Sequence, residues 1–335
     1  MTPAPQSRGL DGPRSCFPLP VVLNWPQERK DILLSQNTNG LVVYHFESLS
    51  TDGLVHAVFT RLGGVSRGPF ATLNTGHTVG DDEAAVAENH ARIYNYLGLS
   101  ADQVATAHLV HSNHITVISS EQANQVLPST DGLATATPGL ALMLRFADCQ
   151  PIILYDRAHH ALALIHAGWR GVAQGIAARA VEAMEAAFGS KPPDLLVGLG
   201  PAIGPCCYTV GDDVAAAMGY ALPDWHQAMQ ATAQGWRLDL STANAQQLAA
   251  VGVQHIERSD LCTSCHNDRF FSHRAEKGHT GRFATVAYLQ PRDSGRAERE
   301  TQAPGSRPKP AEPREQGVLN PPGFPPLQEL FGEHK

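Results

Sequence analysis

Short apolar or alternating runs recur along the middle of the chain and predict strands at Leu41–Glu47, His56–Arg61, Ile115–Ile118, Leu140–Phe146, Ile152–Asp156, Ala161–His166 and Leu195–Leu199. Helical periodicity fills several of the gaps. Asp81 is placed to cap a helix with Val86, His90, Ile93 and Leu97 on one face and a stop at Gly98. One helix is predicted after Arg170, with Val172, Ile176, Ala180, Met184 and Phe188 at helical spacing and Gly189 at its end. Ser241 is placed to cap a further helix that ends near Gly252. Strands and helices interleaved in this way, with several hairpins, predict a mixed α/β (α+β) fold.

Proline marks the limits of this patterned region. Of the 24 prolines, six fall in residues 1–30 and nine in residues 291–335. The expected organisation is a flexible N-terminal segment (1–35), one domain (36–290) and a Pro-rich disordered tail (291–335), too poor in apolar groups to offset its chain entropy. The competing reading of the tail is an ordered arm packing through Phe324, Leu327 and Leu330. The chain has 335 residues, 42% of them hydrophobic, enough for a sizeable core. A net charge of −7 argues against a general nucleic-acid binder. Apolar stretches fall well short of the roughly 20 residues a membrane helix needs, and the N-terminus lacks a secretory h-region. Six cysteines without an export signal do not suggest a disulfide scaffold. A cytoplasmic protein without nucleic-acid or membrane partners, a monomer or small homo-oligomer, is the expectation.

The densest chemistry lies between Ala147 and Gly171. An antiparallel hairpin turning near Arg157–Ala158 would set Cys149 nearly opposite His166, at the open end. Residues in direct opposition approach to about 4.5–5.5 Å, close enough to share a metal or pass a proton. Singly, a cysteine beside a strand is a small hydrophobe and a histidine at a strand end a satisfied surface group. Asp148 and Arg170 beside the pair strengthen the functional reading. A second cluster, His108, His111 and His114, offers a third ligand without showing which histidine supplies it. Three protein ligands with an open fourth position describe a catalytic zinc site, in which a bound water is acidified to a pKa of about 7.

Six segments in order resemble the YfiH-like, laccase-domain family, first described as multi-copper polyphenol oxidoreductases and now regarded as purine nucleoside phosphorylases. They are HAVFTRLGGVSRGPFATLNTG, VHSN, DGLATATPGLALMLRFADCQP, IHAGWRG, GPAIGPCCYTVG and CTSCHNDRFFSHRAEKGHTGR, spread over roughly residues 40–290. The resemblance implies a single-domain, layered α-β-β-α sandwich with mixed sheets. It selects His111, so that the implied metal ligands and catalytic residues are His111, Cys149 and His166. Leu109 and Ser112 depart from the family's Gln and Gly on either side of Val110-His111. The implied cofactor is zinc, with copper the less favoured metal. The implied reaction converts adenosine, inosine, guanosine or S-methyl-5'-thioadenosine and phosphate to free base and ribose 1-phosphate, with adenosine deamination as a side activity through attack at C6. Arg61, Arg170, Arg274 and Arg282 lie in polar or Gly-rich motif segments suited to gripping phosphate in a bidentate manner, Arg61 and Arg170 foremost. Asn74 is read either as a ribose contact or as the organiser of a turn.

Other chemistries fit less well. Sixteen histidines without one His-x-His pair do not make a multi-copper oxidase, and the H-x-E…P-C-x-x-C signature of cytidine deaminases is absent. Cys262 and Cys265 followed by His273 and His279 make an irregular second zinc motif; the bland reading is two reduced thiols near the rim of the site. Two rivals remain. Cys149 and His166 without metal would make a cysteine hydrolase or amidase, the chemistry of relatives described as peptidoglycan-editing factors. A non-catalytic purine-binding module, or a scaffold acting through the tail, is the other.

Overall fold

The computed structural model describes residues 33–36 and 40–292. The expectations for residues 1–32 and for the Pro-rich tail, including Phe324, Leu327 and Leu330, lie outside the described residues. Leu33–Gln36 forms a strand paired antiparallel with Val42–His45, so the sheet starts inside the expected N-terminal segment.

Alternation of side chains along the strands builds the architecture. In Gln150–Asp156, Ile152 and Leu154 face one way and Ile153 and Tyr155 the other. Both sets are buried, so this sheet is covered on both faces. Ile153, Tyr155, Leu162 and Leu164 meet Leu142, Leu144, Phe146 and Phe283 of a second sheet. Ile152, Leu154, Ala163 and Ile165 pack under the helices Ile176–Phe188 and Leu240–Ala250. On the far side, Phe59, Met143 and Val286 receive Ile93 and Leu97 of the helix Glu83–Leu97. The result is one α-β-β-α sandwich.

One sheet runs in the order Leu33–Gln36, Val42–His45, Leu54–Phe59, Phe283–Leu289, Ala141–Phe146, Val104–Ala107, Val126–Leu127. The other runs His255–Arg258, Leu196–Leu199, Gln150–Asp156, Ala161–Ala167, Gly132–Thr135, Ile115–Val117. Both are mixed: Val104–Ala107 is parallel to its two neighbours, as Leu196–Leu199 is to His255–Arg258. A small three-stranded sheet (Thr209–Val210, Gly235–Leu238, Met229–Thr232) packs Met229 and Leu238 into the core beneath the helices.

Local chemistry shifts three expected boundaries. The first long helix is capped by Asp82, which accepts from the Ala84 amide; Asp81 instead accepts from Ser66 and Asn74. The helix predicted after Arg170 is two, Trp169–Ala173 and Ile176–Phe188, broken where Gly175 turns left-handed at φ 78°. Ser241 lies inside the helix Leu240–Ala250, whose cap is Asp239, bonded to the Thr242 amide at 3.0 Å and to its hydroxyl at 2.7 Å.

Candidate active site

The hairpin joining Gln150–Asp156 to Ala161–Ala167 turns later than expected. The Asp156 carboxylate accepts from the amides of Ala158 and His159 and pairs with the His159 ring at 2.7 Å, fixing a four-residue loop. His166 therefore pairs with Pro151 and Ala167 with Gln150, and Cys149 lies just past the last pair. It still meets His166. The ligand atoms of His111, Cys149 and His166 all lie within 4.8 Å of one another. His166 is buried, Cys149 half-buried and His111 exposed, so the cluster opens to solvent on the His111 side.

Asp131 orders this cluster. The turn before Ile115–Val117 carries His111 in the left-handed region at φ 61°. It thereby aims three successive amides, those of Val110, His111 and Ser112, at the Asp131 carboxylate, at 3.2, 2.9 and 2.7 Å. Such a nest of N–H groups stabilises an anion. Burial alone would raise the Asp131 pKa; its bonds with His166 and Ser112 outweigh this and hold it at about 2. Being ionised, Asp131 only accepts, so His166 Nδ1 donates to it at 3.0 Å and Nε2 is left as that ring's ligand atom. A carboxylate behind a ligating histidine is the arrangement that orients imidazoles on metals. The donor set therefore fits a borderline-soft ion such as zinc. Without an ion, burial pushes the Cys149 thiol up, but the His166 charge and the bond to His111 draw it down to about 6. Against its own burial, His166 is raised to about 9 by Cys149 and Asp131.

Gly168 permits the approach. A Cβ there would stand 2.9 Å from Cys149 Sγ and 3.0 Å from His111 Cδ2. Asp148, at φ 87°, is anchored by the Thr263 hydroxyl and the Arg274 amide, each at 2.7 Å.

The remaining expected residues separate. His108 and His114 stay exposed and outside the triad. Arg170 is exposed, its guanidinium 4.4 Å from the Trp169 ring centroid. Arg274 lies over Tyr208 and donates to Thr209 O. Arg282 is held by the carbonyls of Thr280 and Gly281; its charge is disfavoured by burial and favoured by Cys149 and Asp148. Arg61 is committed elsewhere: it binds Ala71 O, Asn267 O and Glu276 and covers Phe271. Asn74 is fully buried and organises a turn, bonded to Gly76, Asp81 and the Arg282 amide. Cys262 and Cys265 gather with Cys206 and Cys207, not with His273 and His279; the His279 ring instead meets Phe70 edge-on. Sequence reasoning missed Asp131 and Gly168. The available signals were the Asp-Gly opening of one motif and the glycine just past the hairpin strand.

Two stacked mixed sheets with helices outside, and a His–Cys–His cluster backed by a buried carboxylate, define an α/β protein with a preformed candidate metal site. The family model described as multi-copper polyphenol oxidoreductase laccase matches residues 55–290, and the chain belongs to that family. It is 41% identical over 245 residues to the purine nucleoside phosphorylase YlmD of Geobacillus stearothermophilus, covering 69% of this chain and 88% of that protein. It is 35% identical over 252 residues to the purine nucleoside phosphorylase ORF3 of Streptomyces griseus, covering 74% of this chain and all of that protein. The crystal structure of the Geobacillus YlmD superposes with a TM-score of 0.74 at 36% identity, over 78% of this chain and 100% of that one. The YfiH structure from Bacillus licheniformis gives 0.72 at 34% identity, over 77% and 99%. Among the described residues no helix is long and apolar enough to cross a membrane.

Proposed function

We propose that the chain is a metal-dependent purine nucleoside phosphorylase of the cytoplasm. It would act on adenosine, inosine, guanosine and S-methyl-5'-thioadenosine, with adenosine deamination as a second activity of the same site. The observation that carries this reading is the convergence of His111, Cys149 and His166 on the Asp131 nest, in a chain similar to proteins named purine nucleoside phosphorylases.

A zinc ion held by these three side chains supplies Lewis-acid chemistry when bound, with copper as the alternative metal. The rest is the work of the chain. In phosphorolysis a phosphate oxygen bonds to ribose C1′ as the C1′–N9 bond breaks, and its electron pair leaves with the purine. The dianion needs fixed positive charge. Arg170 is exposed two residues after Gly168, and the charge of Arg282, disfavoured by burial, is favoured by Cys149 and Asp148. Arg274, one residue past the exposed His273, supplies a further guanidinium over Tyr208. Arg61 and Asn74 act indirectly in this reading, by holding the loops that carry Arg282 and Glu276. Asp131 keeps the His166 ring in one orientation and tautomer throughout.

One observation favours a second reading. The Asp131–His166–Cys149 chain also has the order of an orienting acid, a base and a thiol, the parts of a metal-free cysteine hydrolase or amidase. Metal analysis, chelation and alkylation separate the two. The phosphorylase reading expects about one ion per chain at this site and loss of nucleoside turnover under a strong chelator. A protein with no ion at these three residues that tolerates the chelator and is blocked only by alkylation would replace it with the hydrolase.

A further inference from the structure

The four sulfurs of Cys206, Cys207, Cys262 and Cys265 come together away from the His–Cys–His triad, all within 4.8 Å of one another. Cys206 Sγ and Cys207 Sγ stand 3.4 and 3.5 Å from Cys265 Sγ. A tetrahedral ion with metal–sulfur bonds of about 2.3 Å would hold its sulfurs about 3.8 Å apart, so the observed cluster is already near that size. Two backbone amides, of Gly204 and Cys265, point at Cys262 Sγ at 3.2 and 3.5 Å. N–H groups aimed at a sulfur favour the thiolate that ligates metal. Gly204 allows that approach, since a Cβ there would stand 3.2 Å from Cys262 Cβ and 3.4 Å from Cys206 Sγ.

We infer that Cys206, Cys207, Cys262 and Cys265 form a second, structural zinc site. Four thiolates with no imidazole or carboxylate select a tetrahedral thiophilic ion. With every position taken by protein, the site is closed and has no place for substrate. Its role follows from what its two segments hold. Beside Cys262, Thr263 donates to the Asp148 side chain; before Cys206, the Ile203 amide donates to Asp148 O at 2.9 Å. The segments are further joined by the Ala202–Cys262 bridge. The ion would thus clamp the two loops that fix the residue next to Cys149. This inference stands independently of the reaction proposed for the triad.

The test is zinc content of the full chain, purified under reducing conditions and dialysed after exposure to zinc alone. A His111→Ala/His166→Ala chain, with the first site disabled, should keep one zinc per chain and release it on titration of its thiols by a mercurial. Loaded with cobalt instead, it should show the intense visible bands of a tetrahedral tetrathiolate. Adding Cys206→Ser and Cys265→Ser should remove that ion and lower the melting temperature. A His111→Ala/His166→Ala chain that keeps no zinc and gives no tetrathiolate spectrum overturns the inference, even if the cysteine variants fail to fold. So does recovery of a Cys206–Cys265 disulfide from the reduced preparation.

Discussion

His166 Nδ1 lies 3.0 Å from Asp131 Oδ1, with both side chains almost wholly buried, and the same carboxylate gathers the amides on both sides of His111. One acid therefore sets the positions of two histidines that are 55 residues apart in numbering, 111 and 166. Asp131→Asn keeps the volume but loses the charge that orients the imidazole. It should lower metal affinity and turnover by about 10–100-fold, with a smaller effect on folding. Metal titration alongside steady-state rates checks this; unchanged affinity would show that Asp131 has only a structural part.

Gly168→Ala probes the space rather than the ligands. The added methyl would press on both Cys149 Sγ and His111 Cδ2, and the backbone there has no left-handed strain to confound the result (φ −85°). The expected outcome is a clear loss of metal loading and turnover with the secondary structure retained by circular dichroism. Full loading in this variant would mean that the two ligands relax freely.

The arginines should divide by their surroundings. Arg170→Ala should raise the KM for phosphate about 10–100-fold, the worth of a charge-assisted contact, with an unchanged melting temperature. Arg61→Ala should instead cost about 2–3 kcal/mol of stability, because its guanidinium ties Ala71 O, Asn267 O and Glu276 together. Kinetics and denaturant unfolding of the two variants separate these outcomes; the reverse pattern would reassign the phosphate contact to Arg61.

Two histidines make folding acid-sensitive. His56 is buried and accepts from the Phe46 amide, and burial lowers it to about 3. Burial likewise lowers His90 to about 4, against its bond to Thr75 O. In the unfolded chain both titrate near about 6.5. The unfolded state therefore binds more protons between these values, and their stabilisation, full above about pH 7, declines as pH falls through 6.5 toward 4. From pH 7 to 5 each should remove about 1–2 kcal/mol, read as a fall in urea midpoint. His56→Gln should flatten that dependence; an unaltered slope would contradict the assignment.

Much of this was legible where side chains repeat. The strand runs around Leu140–Phe146 and Ala161–His166 are almost continuously apolar, without polar alternation, as strands covered on both faces are. What escaped depended on single side chains bonding to backbone. The hairpin register moved because Asp156 captures the turn amides, and helix starts moved because Asp82 and Asp239 outcompete Asp81 and Ser241 as caps. Asp131 carries no periodic signal; its role exists only once the turn at His111 and the end of Ala161–Ala167 are brought together. The partners of Cys262 and Cys265 escaped for the same reason, since Cys206 and Cys207 reach them across long-range chain contacts.

The most direct test of the central claim is product analysis with inosine, with and without phosphate, for the native chain and for Cys149→Ala at matched melting temperature. The account predicts hypoxanthine and ribose 1-phosphate from the native chain only when phosphate is present, and neither from Cys149→Ala. Phosphate-independent release of base by the native chain, or full turnover by a folded Cys149→Ala, would contradict it.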